Sequence, residues 1–397
     1  KEVHIMKKTL ALLLVLMLML PILALGEDFA GTITIGIFEP ASGDNAAGGK
    51  QETLGMYYAN SLVNTVELGG KTYKLEVSEV DNQTSADKAP AAAQTLVSRN
   101  VNVVLGTYGS GASMAAAPIF EAANIPAIGA SCTNPGVTLG SPLYWRICYT
   151  DDFQGDVLAN FAFSDLDVKV AYTLNMLGED YGAGLVNYFT RAFEKLGGTV
   201  VADTFPEGTS DFTAYLQNAV NAGAGVIFSP SSTTYASLML GQAKSMNLAI
   251  PFVAGDTWAS SVILEAVQNS ALKVYFSDFF DENNDEASQV SKDFVTGFKA
   301  WLNANPQNLT NNGGNDIIAA VSALGYDAYM TAVEAIKATE NGGKEQIAQA
   351  LPGVSYDGVT GMIVFDENGD AKKDIAYIKI ADTESLNYIF VTTTSIQ

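Results

Sequence analysis

The feature that most constrains this chain is an alternation of strand and helix that runs twice. Short Val- and Ile-rich runs, "TITIGIF" (32–38), "KLEVSEVDN" (74–82), "VNVVLG" (101–106) and "IPAIGA" (125–130), are separated by helix-like stretches at about 48–64, 85–100 and 113–124. From Val168 the pattern restarts, with strand runs at 168–174, 199–207, 224–232 and 250–258 and helices at 181–198, about 211–222 and 234–247. A strand that reaches the next strand through a helix makes a parallel βαβ unit. The expected fold class is therefore α/β, with two Rossmann-like lobes. The lobes echo each other: "VVLGTYGSGASMAAAPIFEAANIPAIGASCT" and "VIFSPSSTTYASLMLGQAKSMNLAIPFVAGDT" both run strand, small polar loop, helix, Ile-Pro, strand, polar tip. Parallel sheets place ligands at the carboxyl ends of their strands. Two such sheets facing each other would enclose one small molecule.

The remainder is expected to tie the lobes together. A helix at 260–268 leads into "LKVYFSDFFD" (272–281), which crosses between lobes. Helices follow at 287–304, about 317–339 and 344–351, with a polar loop at 305–316, and 359–382 reads as one hairpin turning at "DENGD". The expected division is residues 1–26 as a signal peptide, 27–149 with about 278–355 as the N-terminal lobe, and 150–277 with about 356–397 as the C-terminal lobe.

Lys7 and Lys8, an apolar run from Leu10 to Leu20, and Ala24 and Gly26 at the −3 and −1 positions of a cut after Gly26 make a secretory signal pattern. The run is short for a spanning helix, which needs ~20 apolar residues. No cysteine follows it to take a lipid, so the expectation is a soluble periplasmic protein. Cleavage removes three lysines and one glutamate and takes the net charge from −22 to −24. A surface that acidic repels nucleic acid and anionic headgroups. It also removes His4, the one histidine. Histidine-dependent triads, dyads and zinc sites are then excluded. Neither a cofactor nor a metal is expected. Cys132 and Cys148 are left, as a disulfide or as two buried thiols.

Four polar stretches fall at expected strand ends. "TYGSGAS" (107–113) precedes a helix, where open backbone N–H groups and Ser110 suit an anion, or where Ser110 is a plain cap. "GASCTNPG" (129–136) offers Ser131 and Thr133, or is only an Asn-Pro turn. "GEDYGAG" (178–184) places Tyr181 to cover an apolar part of a ligand, or to pack on its own helix. "GDTWA" (255–259) sets Asp256 at a strand tip before Trp258, as a partner for a cation or as a helix cap. Hydroxyls and amides on one lobe and a carboxylate on the other fit a small zwitterion.

The chain resembles the type I periplasmic binding proteins of branched-chain amino acid (Leu/Ile/Val-binding) ABC transporters. The residues that carry the resemblance are "SGDNAAGGKQETLG", "DNQTSADKAPAAAQTLVSRNVNVVLG", "IPAIGASCTNP", "WRICYTDDFQGDVLANF", "GEDYGAGL" and "GVTGMIVFDENGD", from about Gly31 to the last strands. The resemblance implies lobes joined by a multi-crossover hinge around a ligand cleft, and no enzymatic activity. It implies a monomer that delivers an amino acid to ABC permease subunits. It assigns the ligand carboxylate to Ser110, Ser131 and Thr133. It assigns the ammonium to the Thr133 loop and Asp256, where family members carry a glutamate, and a flanking ring to Tyr181. Two departures stand out: Gly48 and Ser232 occupy places where members often carry an aromatic side chain. The expectation is a roomier or more polar pocket, refilled by Trp258 or Tyr235. An exported sensor of the same fold remains an alternative, as does a receptor for an amide or small carboxylate. A carboxylate-based hydrolase is less favoured, since only Asp256 is placed in the cleft, with Glu39 and Asp180 as weaker candidates.

Overall fold

The structure is a computed structural model and describes residues 29–395; the expected signal peptide lies outside them. The first lobe holds β1 (Gly31–Glu39), α1 (Ala46–Leu62), β2 (Thr65–Leu68), β3 (Lys71–Asp81), α2 (Ala89–Ser98), β4 (Val103–Leu105), α3 (Ser110–Ala122), β5 (Ala127–Gly129) and β6 (Tyr144–Arg146). Its sheet runs β2-β3-β1-β4-β5-β6, parallel except for β2. The short strands β2 and β6 were not anticipated. In β1, Ile33, Ile35 and Ile37 point to one side of the sheet and Phe38 to the other, and all four are buried. The first part of β1 alternates isoleucine with Thr32, Thr34 and Gly36, and burial on both faces sets in only from Ile35 onwards.

The second lobe begins with α4 (Asp151–Asn160), β7 (Val170–Met176), α5 (Asp180–Lys195), β8 (Thr199–Phe205), α6 (Thr213–Asn221) and β9 (Val226–Phe228). It continues through α7 (Thr233–Ser245), β10 (Phe252–Ala254), α8 (Ser261–Val267) and β11 (Val274–Asp278). The chain then returns to the first lobe as α9 (Gln289–Asn303), α10 (Pro306–Asn311), α11 (Ala320–Lys337) and α12 (Lys344–Ala350). α11 packs along α1, and Tyr58 of α1 meets Phe294, Phe298 and Trp301 of α9 at ring separations of 5.4–5.9 Å. Part of the expected polar loop is thus the short helix α10, capped by Asn305.

One expectation near the C-terminus is corrected. Residues 359–382 do not form one hairpin. β13 (Gly361–Val364) pairs with β12 (Ser355–Gly358), and this small ribbon sits on α11, where the Asp327 carboxylate accepts from the Val359 and Thr360 amides at 2.8 Å each. "DENGD" does turn the chain, with Gly369 at φ +86°, but only a single bridge, Phe365 to Ala371, follows it. The next strand, β14 (Ala376–Ala381), instead pairs antiparallel with β11 and with β15 (Tyr388–Thr394). The second sheet runs β15-β14-β11-β10-β9-β7-β8. The strand that follows the turn is thus part of the second sheet.

The expected choice between disulfide and thiols also resolves. Cys132 and Cys148 are both free and buried. Cys132 packs with Phe38 and Phe120 on the α2/α3 side of the first sheet, whereas Cys148 belongs to the core on the α1/α11 side. Side chains committed to opposite faces do not meet. Among the described residues, no helix is long and apolar enough to cross a membrane, and no group of three or more His, Cys, Asp or Glu is placed to hold a metal.

Candidate ligand-binding cleft

The carboxyl ends of β4 and β5 face the carboxyl end of β10 across a small cavity of about 20 Å³. Larger surface hollows, such as one of about 940 Å³ beside Leu248 and Leu272, lie away from these strand ends.

The first-lobe wall begins with Tyr108, Gly109 and Ser110. Gly109 takes φ +133°, a conformation that disfavours a side chain, and α3 starts at once with Ser110. The first amide groups of α3 thus open towards the cavity with the positive end of the helix dipole. Ser110 caps nothing. Its Oγ accepts from the Asn134 amide at 3.2 Å, which leaves its hydrogen for a ligand. Thr133 Oγ1, from the neighbouring loop, is buried with no hydrogen-bond partner. Ser131 behaves differently, because its hydroxyl donates to Glu52 of α1. With its hydrogen committed to Glu52, Ser131 has lone pairs left to offer, which suit a hydrogen-bond donor. Burial pushes the Glu52 carboxyl up to about 7. Burial also raises Glu39, and the Glu52 carboxyl beside it raises it further.

The loop itself is held from behind by Arg146 of β6. Its guanidinium donates to the carbonyls of Cys132 at 3.1 Å and Asn134 at 2.6 Å, and pairs with Asp370 at 2.6 Å. The planar Arg fork holds two carbonyls and a carboxylate at once in a rigid geometry that the compact ammonium of a lysine does not reproduce.

The second-lobe wall is acidic. Asp256 follows β10 in a 3₁₀ turn and is 3% exposed. It does not cap α8, a task taken by Ser260. Its Oδ1 accepts from Gln154 Nε2 at 2.8 Å and from Tyr181 Oη at 3.1 Å. Burial pushes the Asp256 carboxyl up to about 6. Glu179 caps α5 through the Tyr181 and Gly182 amides, and burial pushes it up to about 7. Both acids line the cavity, and no lysine or arginine does.

Three residues expected at the site are placed elsewhere or serve otherwise. Trp258 is fully buried in the second-lobe core against Phe252, its Nε1 donating to the Ser231 carbonyl at 3.0 Å. Ser232 caps α7. Gly48 lies under the Tyr108 ring, where an added Cβ would come within 2.4 Å of Cζ. The volume left by Gly48 is therefore filled by Tyr108, not by Trp258 or by Tyr235, which is buried in the second-lobe core. The pocket is not roomier. Sequence reasoning missed Tyr108, Gln154, Glu52, Glu179 and Arg146. Of these, Tyr108 had a signal: it is the single large side chain in "TYGSGAS".

The lobes also bond directly. Thr233 and Thr234 donate to the Asp44 carbonyl at 3.2 and 3.1 Å, Asn134 Nδ2 to the Asp180 carbonyl at 3.1 Å, and Tyr108 Oη to the Thr257 carbonyl at 3.4 Å. The cleft is closed.

Residues 32–384 match the family model "Periplasmic binding protein". The chain belongs to the type I periplasmic binding proteins of the branched-chain amino acid group. The "Leu/Ile/Val-binding protein homolog 1" of Brucella melitensis is 26% identical over 88% of this chain and 91% of its own length. A leucine binding protein from Thermotoga maritima superposes with a TM-score of 0.82 at 27% identity, covering 91% of this chain and 99% of that one. A branched-chain amino acid transporter substrate binding protein from Streptococcus pneumoniae, solved with isoleucine, gives 0.78 at 26% identity, covering 92% and 99%. Periplasmic binding proteins of this group are solute-binding components of ABC transporters and not enzymes, which disposes of the hydrolase alternative.

Proposed function

We propose that this periplasmic binding protein captures a small zwitterionic amino acid between its lobes and delivers it to the permease of an ABC importer. One observation carries the reading: the cavity between the lobes has opposite electrostatic ends. At one end lie the N-terminus of α3 and the Ser110 hydroxyl, with the buried Thr133 hydroxyl in the loop behind the cavity wall. At the other lie Asp256 and Glu179, with no protein cation beside them on the cavity wall. A buried carboxylate without a cation is unfavourable unless a ligand brings one. An α-carboxylate at the first end and an α-ammonium at the second satisfy both. A ligand with only a carboxylate would leave the acidic end unmatched.

The signal pattern of residues 7–26 supports export to a periplasm, and the family resemblance supports action as a monomer. The proposed lobes are β1–β6 with α9–β13, and α4–β11 with β14–β15. Closure around the ligand is a hinge motion between them.

Calorimetric titration of residues 27–397, unfolded and refolded to strip carried-over ligand, tests the reading against the twenty amino acids and their N-acetyl and amide derivatives. Saturable one-to-one binding of a free amino acid, weakened at least a hundredfold in Asp256→Asn and absent for the N-acetyl form, is expected. Silence across the free amino acids overturns it.

A further inference from the structure

The cleft differs from a pocket for aliphatic side chains in what lines it. Apart from Tyr108 and Tyr181, the walls are Asn45, Ser110, Ser131, Glu179, Asp256, Thr257 and the bare Gly109. None is an aliphatic residue; the alkyl surface is limited to the Thr257 methyl and the short methylene stems of polar side chains. A branched alkyl group enclosed there would press against amide and carboxyl groups and strip them of water without replacing the lost hydrogen bonds.

Tyr108 takes up the space that remains. Its ring lies flat against Gly48, with Cζ, Cε2 and Cε1 at 2.4, 2.5 and 2.9 Å from the position a Cβ would take there. The ring cannot easily swing aside. Its backbone amide donates to the buried Glu39 carboxylate at 2.8 Å, its hydroxyl reaches the Thr257 carbonyl on the opposite lobe, and its flank packs on Ala319 and Val321. Only 4% of the residue is exposed. Asn45 adds an independent sign of what the cavity takes, since its Oδ1 is buried and accepts no hydrogen bond. A hydroxyl on the ligand side chain would satisfy it.

Resting on the amino-acid reading above, we infer that Tyr108 is a specificity-determining residue that closes the side-chain end of the cleft. It restricts the ligand to amino acids with a small or hydroxylated side chain (alanine, serine, threonine) and rejects leucine and isoleucine. The ring plays two parts. It fills the place of a ligand alkyl group, and through Thr257 it closes the cleft before a larger ligand would fit.

The test is calorimetric titration of the refolded protein with glycine, alanine, serine, threonine, valine, leucine and isoleucine, repeated with Tyr108→Ala, Tyr108→Leu and Tyr108→Phe. The wild type should bind serine, threonine or alanine at least tenfold tighter than leucine. Tyr108→Ala and Tyr108→Leu should shift the leucine-to-serine affinity ratio at least tenfold towards leucine. Tyr108→Phe, which keeps the ring, should hold the wild-type ranking. Wild-type protein that binds leucine or isoleucine as tightly as serine overturns the inference and leaves the amino-acid reading standing. Failure of every amino acid to bind overturns both. The wild-type ranking decides even where a Tyr108 variant does not fold.

Discussion

Gln154 Nε2 lies 2.8 Å from Asp256 Oδ1, and the same nitrogen lies 2.8 Å from Ser277 Oγ. The amide on α4 thus clamps the second lobe's cleft carboxylate to the end of β11. A hydrogen bond to a charged group contributes ~1.5–3 kcal/mol. Gln154→Leu should therefore weaken ligand binding by about ten- to a hundredfold on that scale. It should also move the pH midpoint of binding upwards, because the ionised form of Asp256 loses a donor. A purely structural defect would weaken binding without moving that midpoint, so calorimetry across pH 5–8.5 separates the two.

Ligand affinity should fall with acid. Burial raises Asp256 to about 6 and Glu179 to about 7 in the ligand-free cleft, and an ammonium is held by their ionised forms. Protons and ligand compete for these carboxylates. Affinity is expected to be flat above pH 8, to decline through 7 as the Glu179 proton must be displaced, and to fall more steeply below 6, towards about a hundredfold per pH unit, as the Asp256 proton must be displaced as well. An unchanged dissociation constant between pH 8 and pH 5 removes Asp256 from the ammonium site.

Stability of the ligand-free protein should move the other way. A carboxyl whose folded pKa is raised binds a proton in the folded state at a pH where the unfolded chain has lost it. Stability then falls as pH rises from the unfolded value towards the folded one. Glu52, raised from 4.5 to about 7, sets that window at roughly pH 4–7, with Glu39 and Asp151 pushed up by burial as well. The Glu52 contribution alone is on the order of 3 kcal/mol, at about 1.4 kcal/mol per unit. The melting temperature without ligand should be higher at pH 5 than at pH 8, and Glu52→Gln should flatten the difference. Scanning calorimetry at the two pH values reads it.

Arg146 should matter more for the binding loop than any surface charge does. It is fully buried, pairs with Asp370 and holds two carbonyls of the Ser131–Asn134 loop. Removing one partner of such a pair costs ~3–5 kcal/mol. Arg146→Met should lower denaturant stability by that amount and weaken ligand binding, whereas Lys74→Met, in an exposed pair with Glu76, should change stability by less than ~1 kcal/mol. Urea unfolding of the two variants checks the contrast.

The cysteines should be silent until the protein unfolds. Burial pushes the Cys132 thiol up to about 11, and Cys148 is raised as well. A thiol reagent at pH 8 should titrate neither in the native protein and both, Cys132 and Cys148, in guanidinium, with no reductant needed. Reaction only after reduction would point to a disulfide instead.

By itself the sequence determined the alternation of strand and helix, the two α/β lobes and the polar strand tips that carry Ser110, Thr133 and Asp256. Periodicity and turn chemistry act over a few residues, so they can be read within a few residues. Tertiary structure decided whatever depends on partners far along the chain. Whether Asp256 was a cap or a cleft acid turned on Ser260 taking the helix and on Gln154, 102 residues away, reaching the carboxylate. Whether Gly48 left the pocket open turned on a ring sixty positions later. Whether Cys132 met Cys148 turned on which face of one sheet each side chain enters. The residues after "DENGD" joined the second sheet because β11 offered an unpaired edge there, while β13 already had β12 beside it. Local pattern chooses elements; only packing chooses which of their side chains meet.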